Sequence, residues 1–429
     1  MRRDDARAAV LKLNADSDQP VATFGRNAGI GDRLRGRLAS AAMAPVLRAI
    51  DRGLRQGAID ATLPDGSALM LGGRAPGPVP VVHLHSWMAL VRLVASGSAG
   101  WYRAWAAGEW SSPDPVPLFD LFMRNGKTLG QVARAKGVSR LAHRALHALR
   151  SNTIARARQN ILAHYDLGNE FYAAWLDQSM TYSSAVFADP DAPDEPLEAA
   201  QARKIKLLLD RLDLRPGQSL FEIGSGWGSL AEIAARDYGV SVTGLTLSDA
   251  QKSLADSRLS GLDARILLQD YRDAHGQYDA LVSVEMVEAV GQEYWPAYLA
   301  SVARLLKPGG RAAIQLISID HALFDAYASS ADFIQAYIFP GGMLIDEPRF
   351  RTLAEAAGLR WENRRGYGPH YAETLRRWRV RFDEAVAEGR LPEGFDRRFV
   401  DLWRYYLMYS EGGFRGGGID VAQVTLVKV

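Results

Sequence analysis

From about residue 200 onward, two spacings of apolar residues alternate along the chain. Ser219–Ile223 reads as a short buried strand, and Leu230–Tyr238 as a helix with one apolar face. Val240–Leu245 returns to strand, Asp249–Arg258 to helix, and Ala264–Leu268 and Ala280–Val284 to strand. Tyr294–Leu306 keeps helical spacing until Lys-Pro-Gly-Gly at 307–310 ends it, and Ala312–Ser318 is again a strand. Ala422–Val429 alternates as a final strand. Strands alternating with helices predict an α/β architecture with a doubly wound, mostly parallel sheet. The stretch 320–410 is too long for simple connections and is expected to form helices that cover the site.

The first 200 residues follow other patterns. Residues 1–130 contain a hairpin signal at Pro64-Asp65-Gly66, because Asp-Gly suits a tight turn with positive φ. An aromatic-rich segment follows, with Trp101, Tyr102, Trp105 and Trp110. This zone reads as a small α+β domain. Residues 131–200 read as a connector. From Arg134 to Arg158 there are seven Lys/Arg and no Asp or Glu. Leu141, Ala145, Leu146 and Leu149 fall near one helical face, and Arg140, Arg144, His147 and Arg150 on the other. Such a helix can lie on an anionic bilayer, or it can be a solvated helix packed on its own protein. The expected division is therefore 1–130, 131–200 and 201–429, and 429 residues suit two or three domains.

Composition narrows the chemistry. The chain has no cysteine, which removes disulfides, thiolate metal sites and cysteine nucleophiles. Its eight histidines are scattered without zinc-ligand spacing, so no metal is expected. A net charge of +2 gives no reason to expect a nucleic-acid partner. The opening MRRDDARAAVLKLN has two early aspartates and no sustained apolar run, which argues against a signal peptide. No stretch reaches the roughly 18 apolar residues of a membrane-spanning helix. The expected location is cytoplasmic.

The segment Glu222-Ile-Gly-Ser-Gly-Trp-Gly228 joins a predicted strand to a predicted helix. In a doubly wound sheet, ligands bind past the carboxyl ends of the strands, and glycines there let the backbone approach closely. Nicotinamide and flavin enzymes use similar loops, so the loop alone is weak. Three features shift the balance. Glu222, two residues before the first glycine, can hold an ammonium group or anchor the loop. The second strand ends in Thr246, where a nicotinamide fold usually places an acid. Gln269-Asp270-Tyr271, after the third strand, suits an adenine amino group and ring. Together these look like the class of methyltransferases that bind S-adenosylmethionine. The competing classes are a nicotinamide oxidoreductase, a loop that serves only packing, and a lipid-binding scaffold with a decayed site.

More segments carry a narrower resemblance. They are His164-Tyr-Asp-Leu-Gly-Asn-Glu-Phe171, Met180-Thr-Tyr-Ser-Ser184, Gly244-Leu-Thr-Leu-Ser248 with Gln251, and Leu268-Gln-Asp-Tyr-Arg-Asp273. Ser283-Val-Glu-Met-Val-Glu-Ala-Val-Gly291, Tyr337-Ile-Phe-Pro340 and Phe414-Arg415 with Ile419 and Gln423 follow. Over about 160–429 the chain resembles the cyclopropane-fatty-acyl-phospholipid synthases, which are related to the mycolic acid cyclopropane synthases. Gly100 to Asn125 looks more weakly like that family's N-terminal lipid-binding domain.

The resemblance implies a class I methyltransferase fold: a seven-stranded sheet with a helical lid insertion, plus the smaller N-terminal domain. It implies that Tyr165, Tyr182, Ser183, Gly224, Gly226, Thr246, Leu247, Gln251 and Gln269 bind S-adenosylmethionine. It further implies methylene transfer to the cis double bond of a phospholipid acyl chain, with a bound bicarbonate as base. Glu288 and Tyr371 match two of that anion's holders, while His370 is expected to be structural or peripheral. Two positions depart from the family pattern: Ser184 stands where many members have cysteine, and Gln315 where they have histidine. Both can still hold an anion. They put the fate of the carbocation in doubt, so a methyl- or methylene-branched product is the alternative, a methyl branch requiring a separate reductase. The implied partner is a bilayer surface carrying unsaturated phospholipid, approached peripherally from the cytoplasm, and many family members are homodimers. Tyr337, Phe339 and Met343 are candidates for an acyl tunnel.

Overall fold

The computed structural model describes residues 30–130, 167–192 and 194–429, with side chains from residue 41 onward. Tyr165 and the basic segment 134–158 lie outside the described residues. Contacts divide the chain into two compact units. Among the described residues, the first comprises 30–130, 325–338 and 397–418, and the second 167–192, 194–324, 339–396 and 419–429. Segments 325–338 and 397–418, expected within 201–429, therefore cluster with the N-terminal unit.

In the first unit, β1 (Ala58–Thr62) and β2 (Ala68–Gly72) form the antiparallel hairpin predicted at Asp65-Gly66. Asp65 fixes the turn by accepting from the Ser67 backbone N–H at 3.0 Å. β3 (Val81–Leu84) runs parallel to β1, and the short β4 (Trp110–Ser111) closes the sheet, giving the order β2-β1-β3-β4. The aromatic run builds the core: Trp101 and Trp110 stack at 4.5 Å, and the Trp110 indole donates to the Trp101 carbonyl at 3.0 Å. Tyr102 packs against Phe333, Tyr337 and Tyr405, all of this unit. Of the three expected tunnel residues, Tyr337 thus belongs to the first unit, and Phe339 and Met343 to the second.

The second unit is built on seven strands: β5 (Ser219–Ile223), β6 (Ser241–Thr246), β7 (Ala264–Leu268), β8 (Tyr278–Val284), β9 (Leu306–Ile319), β10 (Leu359–Gly366) and β11 (Ile419–Lys428). Their order is β10-β11-β9-β8-β5-β6-β7. β5 pairs in parallel with β6 and β8, and β9 in parallel with β8, while β11 runs antiparallel to both β9 and β10. The sheet is therefore the doubly wound, mostly parallel one that the alternating spacings predicted. Helices Ser229–Tyr238, Asp249–Arg258 and Trp295–Leu305 link these strands where expected.

Two elements differ from the sequence reading. Lys307 to Gly310 does more than end a helix: it bulges within β9, whose register against β8 jumps from Tyr278↔Leu306 to Ala280↔Arg311. Within 320–410, helices do form, including Gly368–Ala387 and Arg397–Arg415, but β10 lies among them as an edge strand. Its sequence LRWENRRG buries only its first residue, so the alternation that reveals a strand is absent.

Strand order reverses at β5: the chain winds outward through β6 and β7, then returns to β8 on the other side. A ligand crevice forms past the carboxyl ends of strands at such a reversal. The residues after β5 and β8 are Gly224 and Glu285.

Candidate active site

The glycine loop leaves β5 with Gly224, Gly226 and Gly228 at φ of 85°, 52° and 84°, conformations that side chains resist. Two contacts set its path. The Ser225 N–H donates to the Leu245 carbonyl at 2.8 Å, tying the loop to β6. Gly244 lies directly opposite, where an added Cβ would sit 2.1 Å from Ser225 Oγ. The Trp227 indole donates to Asn169 at 2.8 Å, and Asn169 donates to the Ala250 carbonyl at 3.0 Å, which joins the segment before the sheet to the loop.

Eight of the nine expected cofactor residues line one cavity here: Tyr182, Ser183, Gly224, Gly226, Thr246, Leu247, Gln251 and Gln269. Their local roles are readable. Ser248 caps helix Asp249–Arg258 by accepting from the Gln251 N–H at 3.3 Å. The Thr246 hydroxyl donates to Gln251 Oε1 at 2.7 Å and fixes that side chain. Gln269 donates to the Asp273 carbonyl at 2.7 Å. The carboxylate of Asp270, expected beside a base, is paired with Arg272 at 2.6 Å. Tyr271 is buried edge-on to Tyr298.

Glu222 also reaches the cavity wall, as the sequence suggested for an ammonium partner. It is 3% exposed, and burial pushes its carboxyl up to about 8 against the pull of Ser225 and Lys204. Lys204 comes from helix Leu197–Asp210 and is 1% exposed. Burial lowers its ammonium to about 8, opposed by Glu285, Asp177 and Glu222, and it donates to the Ser183 hydroxyl at 2.7 Å.

Three of the four expected catalytic residues, Ser184, Gln315 and Tyr371, are brought together around an unexpected centre. Glu285, the first residue past β8, has φ +49° and lines the same cavity. Its Oε1 accepts from the Ser184 backbone N–H at 2.9 Å and from Gln315 Nε2 at 2.7 Å, and its Oε2 accepts from the Tyr371 hydroxyl at 2.8 Å. Burial raises the Glu285 carboxyl, while Gln315, Ser184, Lys204 and Tyr371 oppose the rise. Gln315 is held in turn: its Oε1 accepts from Gln423 Nε2 at 3.1 Å, and Gln423 Oε1 accepts from Arg211 Nε at 3.2 Å. Gln315 and Gln423 are direct partners in the β9–β11 register, so their side chains share one face.

Glu288, expected among the anion holders, turns elsewhere. It lies on the single helical turn Val287–Ala289 and accepts from the Ile317 backbone N–H. Its Oε2 is buried without a hydrogen-bond partner among the described residues, and burial pushes its carboxyl up to about 8. His370, expected to be structural or peripheral, accepts at Nδ1 from the Phe187 N–H at 3.1 Å, and its ring lies parallel to Phe187. The sequence reading missed Glu285 as a centre, and also Lys204 and Gln423 as its supports.

The model of the family described as mycolic acid cyclopropane synthetase matches residues 152–424, more than half of the chain. The chain belongs to this family. It is 39% identical, over 92% of its length and 93% of the relative's, to the tuberculostearic acid methyltransferase UfaA1 of Mycobacterium tuberculosis. It is 34% identical, over 84% of its length and 91% of the relative's, to the cyclopropane-fatty-acyl-phospholipid synthase of Escherichia coli K12. The crystal structure of mycolic acid cyclopropane synthase CmaA1 complexed with SAH and CTAB matches at a TM-score of 0.57 and 31% identity, covering 63% of this chain and 98% of that one. The cyclopropane synthetase family member described here thus has the class I fold of an S-adenosylmethionine-dependent methyltransferase, and is a methyltransferase of the cyclopropane-synthase type.

Proposed function

We propose that this enzyme transfers a methyl group from S-adenosylmethionine to a carbon of a cis double bond in a lipid acyl chain, leaving a methylene branch as product. One observation carries the reading: the glycine loop after β5 and the carboxylate of Glu285 after β8 face one cavity. A cofactor site and a proton acceptor therefore share one space.

The residues suit the cofactor. Gly224 and Gly226 let the loop backbone approach it, and an added Cβ at Gly224 would meet Met286 Cγ at 2.9 Å. Glu222 places a buried carboxyl on the cavity wall, and an ammonium group bound there would favour its ionised form. The nine residues named from the resemblance, Tyr165 included, are the proposed binding set. Bound there, S-adenosylmethionine supplies the methyl group, its carbon–sulfur bond breaking with the pair left on sulfur. The π pair of the acyl chain makes the new carbon–carbon bond, and a positive charge remains on the chain. A hydride shift followed by loss of a methyl proton gives the methylene branch. The same proton loss without the shift closes a ring.

The branch is favoured because a relative matched over 92% of this chain is named a tuberculostearic acid methyltransferase, and because Ser184 and Gln315 depart from the ring-forming pattern. Ring closure is the second reading, favoured by the relative named a cyclopropane synthase. A methyl branch would need a separate reductase as hydride donor. With that substrate, the enzyme would act peripherally on the cytoplasmic face of a bilayer. Among the described residues no helix is long and apolar enough to cross a membrane.

Incubation with methyl-labelled S-adenosylmethionine and vesicles of unsaturated phospholipid tests the reading. Mass spectrometry should find the label in the acyl chains, and proton NMR should show vinylidene protons. Shielded ring protons alone would establish the second reading, and unlabelled acyl chains would remove both.

A further inference from the structure

Building on the acyl-methylating reading, we propose that Glu285 is the enzyme's own proton acceptor, seated where the family resemblance implies a bicarbonate, so that the reaction needs no bicarbonate. Of the residues expected to hold that anion, Ser184, Gln315 and Tyr371 each already donate to Glu285 at 2.7 to 2.9 Å, and the fourth, Glu288, accepts from the Ile317 N–H instead. All three donors are neutral, and together they reach both carboxylate oxygens. A bicarbonate at these donors would have to displace Glu285 or meet its charge in contact, so the site does not fit that group.

Glu285 is also built to stay. A non-glycine residue at φ +49° is uncommon and persists where its surroundings over-determine it. Here its N–H donates to the Gln315 carbonyl at 2.8 Å while its carboxylate accepts from the Gln315 side chain. The charged and titratable groups around it are Lys204, which balances its charge, Tyr371, which donates to it, and Glu288, whose carboxylate is aimed at Ile317. Glu285 lies on the cavity wall and Glu288 does not, while Glu222, on the same wall, lies near the end of β5 beside the glycine loop.

The proton step balances. The positively charged acyl chain and the Glu285 anion become neutral together. A C–H bond of the added methyl breaks, its pair forms the new C=C or closes the ring, and the proton goes to a carboxylate oxygen of Glu285. The carboxylic acid returns that proton to water once product leaves. Gln315, Tyr371 and the Ser184 amide are positioning groups in this scheme.

Bicarbonate binding can be read without turnover, by the line width of carbon-13 bicarbonate added to the full chain with S-adenosylhomocysteine. The wild type is expected to bind none. Glu285→Gly, allowed by the positive φ, is expected to bind it. In turnover, the wild type should be equally active in bicarbonate-free and bicarbonate-containing buffer. Glu285→Gln should lose about a hundredfold or more, with cofactor affinity by calorimetry changed less than severalfold. Bicarbonate binding to the wild type, lost turnover on its removal, or near-wild-type turnover of Glu285→Gln would each overturn the proposal. Absence of any acyl methylation by the wild type would instead count against the acyl-methylating reading, and the binding measurement would still decide the role of Glu285.

Discussion

Replacing Tyr371 with phenylalanine isolates one donor of the Glu285 cluster. Among the described residues the Tyr371 hydroxyl is the only donor to Oε2, at 2.8 Å, while Ser184 and Gln315 both serve Oε1. A hydrogen bond to a charged group contributes about 1.5–3 kcal/mol. At about 1.4 kcal/mol per tenfold, its loss raises the Glu285 carboxyl and shifts the balance from anion to acid by about ten- to a hundredfold. The sign follows from which form the donor stabilises: the hydroxyl favours the anion, so removing it favours the acid. The active form is the anion, so the acid limb of kcat/KM should move up in pH. At a fixed pH below that limb the variant should be about ten- to a hundredfold slower, and well above it the two enzymes should converge. The ring stays, still packed edge-on against Trp378, but the lost bond should lower thermal stability, most at pH values where the carboxylate is ionised. The assay is the initial rate of labelled methyl transfer to unsaturated phospholipid vesicles across pH. An acid limb that does not move, or a loss equal at every pH, would refute the role given to this hydroxyl.

Two further outcomes concern the loop and the second carboxylate. Gly244→Ala places a Cβ 2.1 Å from Ser225 Oγ and 2.7 Å from Ile266 Cδ1. Overpacking of this kind costs about 1–3 kcal/mol, so calorimetry should show about tenfold weaker S-adenosylmethionine binding and the melting temperature should fall; unchanged affinity would mean that β6 does not set the loop's position. Glu288 has its carboxyl raised to about 8, chiefly by burial, with the Ile317 N–H opposing and Glu285 adding to the rise. Between the ordinary carboxyl range and about 8 the folded chain holds a proton that the unfolded chain has lost, so this group makes stability fall as pH rises, by up to about 1.4 kcal/mol per unit. Glu288→Gln should flatten that slope in urea denaturation across this range, and an identical slope would show that Glu288 is not the group being titrated.

What could be read before folding, and what could not, follows from the range of each signal. Strands buried on both faces, such as β5 and β6, announce themselves by apolar runs, and the glycine loop by its place between strand and helix. β10 escapes because an edge strand with one buried residue leaves no pattern. Glu285 and Glu288 sit three residues apart in one motif, and either could have turned inward. The turn at the end of β8 decides between them: φ +49° at Glu285 swings its side chain towards Ser184 and Tyr371, and the following helical turn aims Glu288 at Ile317. That choice depends on residues about 100 and 86 positions away in the chain, beyond any local spacing.

Gln315 and Gln423 were more accessible than they looked. Each is a polar residue inside an otherwise apolar run, Ala312-Ala-Ile-Gln-Leu-Ile317 and Val421-Ala-Gln-Val424, whereas Lys204 sits in the basic stretch Arg203-Lys-Ile-Lys206 and carries no such signal. A buried polar side chain without a partner is costly, so an isolated one in a core strand implies another that meets it. Applied to β9 and the last strand, that requirement pairs Gln315 with Gln423 once the two strands are neighbours, which is the contact observed at 3.1 Å. Gln423 has Arg211 on its own oxygen and thereby leaves its amide to face Gln315 Oε1. With Oε1 engaged as an acceptor, Gln315 must direct its amide nitrogen the other way, towards Glu285. A histidine at this position would change its charge and its number of N–H groups with pH, whereas the glutamine amide donates unchanged at every pH. The substitution that first raised doubt about the anion site thus supplies a permanent donor to a permanent carboxylate.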